Sequence, residues 1–273
     1  MTNTEGGGNG AAEMEEDLPM PTFDNFQHII DELSSASTEG ILRKRRCCTI
    51  ILQDEAAFLR KLHEMFEKAE DLMNFEALFN IFFIYKYMIS LGDSKLIETI
   101  MSKDFYLFTF GALEYDPEHL NTSKGKDENA TSMTHRDFLT NKVRFKTIVK
   151  INSEQILDSI HLVYRLNYLK DTAIARFVDD SVLSNINSLI YGHSNDIANH
   201  IFQNKEILQE LLQKMRSTDI QMKHDAIEFF MEVCQMSKNM QISQRFNFFE
   251  SLSQSSTNLI EILAESFNVY YPD

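Results

Sequence analysis

Hydrophobic residues along this chain recur mainly at intervals of three and four positions, with polar residues between them. Phe26, Ile29, Ile30 and Leu33 form one such stripe near the amino terminus. This spacing places the apolar side chains on one face of an α-helix. Strand-type alternation is nearly absent. Only residues 143–151 have a pattern that fits either a strand or an extended loop. The pattern therefore predicts a mainly helical chain.

Polar residues and glycines mark where these helices begin and end. Thr22 or Asp24 is suited to cap the first helix, and Asp54 the third. Asn74 opens a very apolar helix, after which Gly92 is placed for a left-handed stop. The remaining segments are predicted as helices at residues 38–52, 75–91, from 94, 104–113, from 153, 180–191, 195–203, 205–215, 218–236, 243–252 and 257–267, with a long loop at 116–134.

The scarcity of helix-breaking residues indicates an all-α fold. Between residues 22 and 271 the chain contains one proline, Pro117, and five glycines. Short helices joined by polar turns suit pairs stacked as an α-solenoid, although a compact α-bundle would share the pattern. No strict repeat length is visible, which favours armadillo-like or HEAT-like units. We expect a disordered acidic tail at residues 1–21 and a single armadillo-like helical domain at residues 22–273.

Charge is concentrated near the amino terminus. The chain carries 41 acidic against 26 basic residues, a formal charge of -15, and nine of the acidic residues lie within residues 1–40, which contain no Lys or Arg. The acidity argues against nucleic acid as a ligand, because phosphate contacts need Lys and Arg. It also argues against binding to anionic lipid. The most apolar stretch, residues 75–91, is interrupted by Glu76, Asn80 and Lys86, which indicates a buried helix and not a membrane span.

Residue types that often carry catalysis occur here without the spacing that catalysis needs. The glycine cluster near the amino terminus has no strand before it and no Gly-Lys-Ser/Thr after it. His63 lacks a second histidine one turn further on, and the cysteines, including the adjacent Cys47 and Cys48, lack the paired spacing of a zinc site. His193 and His200 lie two turns apart and could share a face, with surface histidines as the simpler interpretation. We expect no enzyme activity, no metal, no cofactor and no small-molecule substrate.

Three features are candidates for binding another protein. The basic run Arg43-Lys44-Arg45-Arg46 is either a helix edge that bonds neighbouring carboxylates, a nuclear-import patch or a docking site for an acidic partner. The aromatic residues between positions 79 and 110 have helical spacing, which favours core packing, with a peptide groove as the alternative. Arg165, which lies near Tyr164 and Tyr168, could stack on these rings or pair with a carboxylate across a helix interface.

A series of short segments resembles one known family. Glu114-Tyr115-Asp116-Pro117 is followed by His135-Arg136-Asp137-Phe138-Leu139, and then by residues 160–171, which read Ile-His-Leu-Val-Tyr-Arg-Leu-Asn-Tyr-Leu-Lys-Asp. The similarity continues through residues 183–190 and 229–249. In this order the segments resemble the central region of the protein phosphatase 4 regulatory subunit 3 family, also called SMEK or falafel, over about residues 22–267.

The resemblance implies an armadillo-like helical repeat with a non-catalytic function. Such a chain would be a regulatory or scaffold subunit that directs the protein phosphatase 4 catalytic subunit, a serine/threonine phosphatase, to nuclear substrates, including those of the DNA damage response. Its partners would be that catalytic subunit, the partner regulatory subunit or both. Its location would be the nucleus, with the cytoplasm as a second location. The candidate protein-binding residues are Arg43, Lys44, Arg45, Arg46, Glu114, Tyr115, Asp116, Pro117, His135, Arg136, Tyr164, Arg165 and Tyr168.

The sequence also departs from the family pattern. Family members usually begin with a PH/EVH1-like domain that binds short peptide motifs, and nothing of that kind precedes the acidic tail here. They also continue into further helical repeats and a long charged tail, whereas this sequence stops at Asp273. The rival hypothesis is a free-standing helical-repeat peptide adaptor with no phosphatase partner. A groove of exposed aromatic side chains with Asn or Arg ladders would favour that rival.

Overall fold

Helices form all of the regular structure in the described part of the chain. The structure is a computed structural model that describes residues 18–38, 40–118, 133–238, 240, 242–243, 245–246 and 250. The helices are α1 Phe26–Thr38, α2 Ile41–Asp71, α3 Phe75–Ser90, α4 Ser94–Ile100, α5 Tyr106–Leu113, α6 His135–Asp137, α7 Glu154–Tyr168, α8 Asp180–Gln203, α9 Lys205–Met215 and α10 Ile220–Ser237. The π-helical turns Phe138–Lys142 and Leu169–Ala173 extend α6 and α7. The predicted all-α helical-repeat class is confirmed, and the armadillo type of repeat stays a prediction.

Side-chain caps fix where several helices begin. Asn74 Oδ1 accepts a hydrogen bond from Ala77 N at 3.1 Å at the start of α3, as predicted. Asp93 Oδ1 accepts one from Leu96 N at 2.9 Å at the start of α4. Each cap satisfies a backbone N–H that the first helical turn leaves unpaired. Between the two helices, Gly92 has a φ of 59°, which confirms the predicted left-handed stop.

The chain packs onto the helical body from Leu18 onward. The Leu18 side chain is buried in the core, while residues 1–17, most of the predicted acidic tail, lie outside the described residues. At the start of α1, Asn25 Oδ1 accepts a hydrogen bond from Thr22 N at 2.8 Å. The backbone N of Asn25 in turn donates to the carbonyl of Thr22 at 3.2 Å, so Thr22 and Asn25 close the turn that leads into α1. The choice between Thr22 and Asp24 as the cap stays a prediction.

Two of the predicted helix breaks have different outcomes. α2 is interrupted at residues 53–56, where the backbone leaves the helical region and Asp54 has a φ of 51°. The predicted break is confirmed, although Asp54 stands in a left-handed turn and not at a helix cap. The predicted break near Gly192 is absent, since α8 runs unbroken from Asp180 to Gln203. The helical Gly192 is tolerated there because buried residues on both sides of it anchor the helix to the core.

The buried apolar side chains form two clusters. The amino-terminal cluster joins α1 to α5 with Leu139, the end of α7 and the start of α8, where it includes Val182 and Ile186. The carboxy-terminal cluster joins the end of α8 to α9 and α10, together with Val149 and Val163. Because α7 and α8 contribute to both clusters and pack against each other, they connect the two halves.

A polar contact also crosses this connection. His193 in α8 lies 3.2 Å from Ser159 Oγ in α7 through Nδ1, and 2.9 Å from Glu98 Oε1 in α4 through Nε2. Residues 143–153 follow an irregular path without strand pairing, which resolves the choice left open there. The helices predicted at residues 243–252 and 257–267 lie largely outside the described residues. Among the described helices, none combines the length and the apolar character that a membrane crossing requires.

Candidate partner-binding region

The most specific sequence segments meet around one arginine. Arg136, in α6, lies between Glu70 at the end of α2 and Glu114 just after α5. Its Nη2 is 2.7 Å from Glu70 Oε1, and its Nε is 2.9 Å from Glu114 Oε2. Its backbone N donates to Glu114 Oε1 at 2.8 Å, and Tyr115 Oη donates to Glu70 Oε1 at 2.8 Å. We call Glu70, Glu114, Tyr115 and Arg136 the polar network.

The polar network is only partly accessible to water. The exposed side-chain fractions are 32% for Arg136, 27% for Glu70 and 11% for Glu114. Burial tends to raise the pKa of Glu70, but hydrogen bonds from Arg136 and Tyr115 outweigh it and lower that pKa below its usual value. Burial and the hydrogen bond to Glu70 raise the pKa of Tyr115 to about 12. At neutral pH the network therefore holds an ionised Glu70 between the Arg136 guanidinium and a protonated Tyr115 phenol.

Two apolar residues shape the space that Arg136 occupies. The guanidinium carbon of Arg136 lies 5.5 Å from the ring centroid of Phe66, which also packs edge-on against Tyr115. On α5, a Cβ placed on Gly111 would lie 3.0 Å from Cδ and Nε of Arg136. That distance is tighter than nine in ten real Cβ contacts, so a side chain at position 111 would push Arg136 by a few tenths of an ångström. The glycine therefore gives the arginine room to pass across α5.

A second group of contacts joins α6 to α7. Tyr168 Oη lies 3.0 Å from Nδ1 of His135, and the Tyr168 ring stacks on Phe138 with the ring planes 9° apart. Phe110 packs edge-on against the same Tyr168 ring at 5.2 Å between centroids. Burial raises the pKa of Tyr168. These contacts pack α6 and the π-helical turn after it against α5 and α7.

The neighbouring tyrosine and arginine of α7 have different surroundings. Arg165 Nη1 donates to the carbonyl of Met101 at 3.1 Å, and its guanidinium carbon lies 4.0 Å from the ring centroid of Tyr106. Burial lowers the pKa of Arg165. Tyr164 is 42% exposed and faces solvent. Arg165 therefore joins α7 to the α4–α5 region, and Tyr164 remains a surface residue.

The remaining candidates lie apart from the polar network. Arg43 bonds both carboxylate oxygens of Glu32 in α1, at 3.0 and 2.9 Å, whereas Lys44 is half-buried and Arg45 and Arg46 are exposed. The bonds of Arg43 to Glu32 fit the helix-edge interpretation of the basic run. After α5, both residues of the Asp116-Pro117 pair are half-buried, and Asp116 Oδ1 accepts from the backbone N of Glu118 at 3.0 Å.

The sequence analysis missed two residues of this region, Glu70 and Gly111. Glu70 lies on a helix with many charged residues, and nothing in its neighbours marks it as the partner of an arginine 66 positions away. Gly111 gave the weak signal of a glycine inside an apolar helix, which often indicates close packing. Of the predicted candidates, Glu114, Tyr115 and Arg136 make direct contact with one another, as do His135 and Tyr168. Their role in binding a partner stays a prediction.

Groups with possible metal or nucleophile chemistry lie elsewhere in the described residues. Burial raises the pKa of Cys48 to about 12, which disfavours the reactive thiolate, and Cys47 beside it is buried as well. His224, Asp225 and Glu228 have ligand atoms within 4.8 Å of one another on α10. Asp225 is already bonded to Lys146 at 3.1 Å, and His224 is exposed. This arrangement resembles a solvated helix face more than a built metal site.

Comparison with known proteins identifies the family. The family model for phosphatase 4 regulatory subunit 3 matches residues 28–269. Suppressor of Mek1 from Dictyostelium discoideum is 32% identical over 235 residues, which are 85% of this chain and 21% of that protein. An uncharacterised protein from Schizosaccharomyces pombe (strain 972 / ATCC 24843) is 31% identical over 228 residues, 82% of this chain and 26% of that protein. The chain thus spans about a quarter or less of the length of these relatives.

No solved structure matches the chain significantly. The family match extends from α1 past α10 and includes every residue of the polar network. Both relatives are more than 30% identical over more than four fifths of the chain. This chain belongs to the phosphatase 4 regulatory subunit 3 family.

Proposed function

We propose that this chain is a non-catalytic scaffold of a protein phosphatase 4 complex, in which its helical surface contributes to assembly or targeting. The family match over residues 28–269 carries this proposal. The polar network supports it, because its residues hold α2, α5 and α6 together and leave no carboxylate or arginine free for chemistry. We therefore interpret these family motifs as residues that keep a binding surface in shape.

The proposal concerns what this region adds to a complex. The matched relatives are about three to four times as long as this chain, so they contain long segments outside the aligned part. A helical repeat presents broad surfaces formed by helix faces and by the turns between helices. Metal-dependent dephosphorylation would belong to the catalytic subunit, and this chain would supply contacts.

The test is quantitative affinity purification of the tagged chain from its own cells. We expect mass spectrometry to recover the protein phosphatase 4 catalytic subunit, its partner regulatory subunit or both. Arg136→Met should reduce that recovery because it loosens the polar network. Lys146→Met is the control and should leave recovery unchanged, because it removes an ion pair whose lysine side chain is 64% exposed. Repeated recovery of neither subunit with the unaltered chain would refute the proposal.

The rival peptide-adaptor function predicts a different surface. A hollow of about 600 Å³ lies along α8. It is lined by Asp180, Leu183, Ser184, Asn187, Ser188 and Tyr191. The hollow offers one amide and one aromatic side chain, and a peptide groove of the repeat type would align several of each along successive helices. The scaffold proposal is therefore the better supported of the two.

We also propose that the chain acts in the nucleus. Arg45 and Arg46 are exposed in an otherwise acidic chain, and clustered exposed basic residues are the chemistry that import receptors bind. Replacing both residues by Gln should shift a fluorescent fusion toward the cytoplasm. A fusion that stays outside the nucleus without any substitution would contradict the location.

A further inference from the structure

The turn between α2 and α3 exposes three large apolar side chains. Leu72 is 71% exposed, Met73 is 76% exposed and Phe75 is 55% exposed. Phe79, one turn further along α3, is half-buried and lies 6.4 Å from the Phe75 ring between centroids. We call Leu72, Met73 and Phe75 the apolar tip.

Hydrogen bonds hold the backbone of the apolar tip in one conformation. The N–H of Met73 donates to the carbonyl of Glu70 at 3.0 Å, and the N–H of Asn74 donates to the carbonyl of Ala69 at 2.9 Å. This pair of bonds is the Schellman arrangement that ends many helices. The Asn74 side chain then caps α3, so both sides of the turn are fixed. The tip is a preformed surface and needs little ordering when a partner binds.

Met73 occupies the position where such turns normally have glycine. Its φ is 53°, a left-handed conformation that costs energy for any residue with a Cβ. A buried side chain could offset that cost by packing, but this methionine is mostly in water. Backbone strain at an exposed residue, without packing contacts that offset its cost, points to a function for the side chain. Methionine is also a residue that adapts its shape to a partner surface.

The polar network lies directly beneath this turn. Glu70 accepts the backbone bond from Met73 through its carbonyl, and its carboxylate is held by Arg136 and Tyr115. Arg136 and Tyr115 thus fix the last turn of α2, from which the apolar tip projects. This connection links the most specific family segments to one place on the surface.

The acidic residues beside the apolar tip restrict the kind of partner that can bind there. The exposed residues that flank it in sequence are Glu67, Asp71 and Glu76, against one exposed base, Lys68. An acidic surround disfavours anionic lipid and favours a protein with basic side chains at the rim of its site. Because the tip projects from a tight turn between two helices, its partner must offer an apolar cleft.

We infer that the apolar tip inserts into an apolar, basic-rimmed cleft on a subunit of the protein phosphatase 4 complex. The inference rests on the proposed function and names the surface through which that function is exercised. Fully burying one large apolar side chain strengthens binding by about ten-fold or more, and such residues dominate protein interfaces. The rim charges add salt-sensitive attraction.

Substitution of Met73 by glycine gives a test in which stability and binding move in opposite directions. Met73→Gly should raise the thermal midpoint of the chain, because glycine relieves the left-handed strain. The same substitution should reduce recovery of the phosphatase subunit several-fold. The double variant Leu72→Ser with Phe75→Ser should reduce it about ten-fold or more. Ile220→Ser, which alters an apolar residue of α10 that is 74% exposed, is the matched control and should bind normally.

The outcomes separate the inference from the proposed function. If the unaltered chain and both tip variants recover the subunit equally well, the inference is overturned and the proposed function still holds. Recovery of neither subunit by the unaltered chain would overturn both. A self-associated dimer in light scattering that Met73→Gly dissociates would assign the tip to a second copy of the chain, which also overturns the inference. The inference is supported if the tip variants lose recovery of the subunit while the Ile220→Ser control keeps it. Lys substitutions at Asp71 and Glu76, made in the otherwise unaltered chain, should also weaken recovery of the subunit.

Discussion

The amino-terminal and carboxy-terminal clusters bury their aromatic residues to different depths. Phe58, Phe66 and Phe110 are at most 2% exposed and belong to the amino-terminal cluster. Phe202 and Phe230 of the carboxy-terminal cluster are 8% and 6% exposed. The larger cluster draws on α1 to α5 as well as α7 and α8, whereas the smaller one lies mainly among α8, α9 and α10. We expect the first to determine global stability and the second to open locally.

Two charged contacts, one in each region, differ in how far their side chains are exposed to water. In the amino-terminal region, Arg136 bridges two carboxylates that are 27% and 11% exposed. In the carboxy-terminal region, Asp225 is 17% exposed, but its partner Lys146 is 64% exposed, against 32% for Arg136. An ion pair contributes more, and its disruption costs more, when its partners are shielded from water. The carboxy-terminal region also has a partly shielded pair, Lys214 with Glu210, whose side chains are 28% and 34% exposed, so the contrast holds for these two contacts and not for every charged residue.

The largest expected effect comes from removing one buried ring in each cluster. Phe58→Ala should cost about 3–5 kcal/mol of unfolding free energy and loosen the whole amino-terminal region, because it leaves a cavity in a dense core. Phe230→Ala should instead raise hydrogen exchange in α9 and α10 while α3 keeps its protection. Denaturant unfolding with hydrogen exchange measures both. Equal loss of protection in α3 would show that the clusters unfold as one unit.

A smaller effect is expected from breaking each ion pair. Arg136→Met should destabilise the chain by about 2–3 kcal/mol, because Glu70 and Glu114 are left half-buried without a counter-charge. Lys146→Met should cost below about 1 kcal/mol, as expected for an exposed pair. Urea denaturation of the two variants compares them directly. Similar costs for both would mean that shielding does not distinguish the regions.

The two helical glycines should respond to alanine with opposite signs. Gly111→Ala should destabilise by about 1–2 kcal/mol, since the new Cβ would press on Arg136. Gly192→Ala should stabilise by about 0.5–1 kcal/mol, because nothing lies within 4 Å of that position and alanine favours the helix. In an Arg136→Met background the penalty at Gly111 should shrink. An unchanged penalty there would show that Arg136 is not what the new methyl group meets.

The smallest effect is the pH dependence from Glu70. Its pKa is lowered in the folded chain, so the folded state takes up a proton only at a lower pH than the unfolded state. The stabilisation is present above the ordinary glutamate pKa and is lost as pH falls through the lower folded pKa. Glu70→Gln should therefore flatten the fall in stability below about pH 5. An unaltered acid limb in thermal melts from pH 3 to 7 would contradict the role of Glu70.

The sequence predicted helices well where local signals were strong. Asn74 and Gly92 mark the two ends of α3, and both act through groups within three residues along the chain. The same reasoning failed at Gly192, because a glycine weakens a helix only slightly and tertiary packing on both sides held α8 together. Within the candidate region, the family segments were recognised, but Glu70 was missed because its role depends on a distant partner.

By itself, the sequence determined the all-α class, the main helix boundaries and the family, since each follows from spacing and residue order over short distances. Only the tertiary structure decided that Arg136 would reach Glu70 across 66 positions and that Gly111 would leave room for it. The tertiary structure also decided that Met73 is exposed in a left-handed turn, whereas many other apolar residues of the helices are buried in the core. Burial and pairing depend on which helix faces meet, and that is a property of the packed chain as a whole.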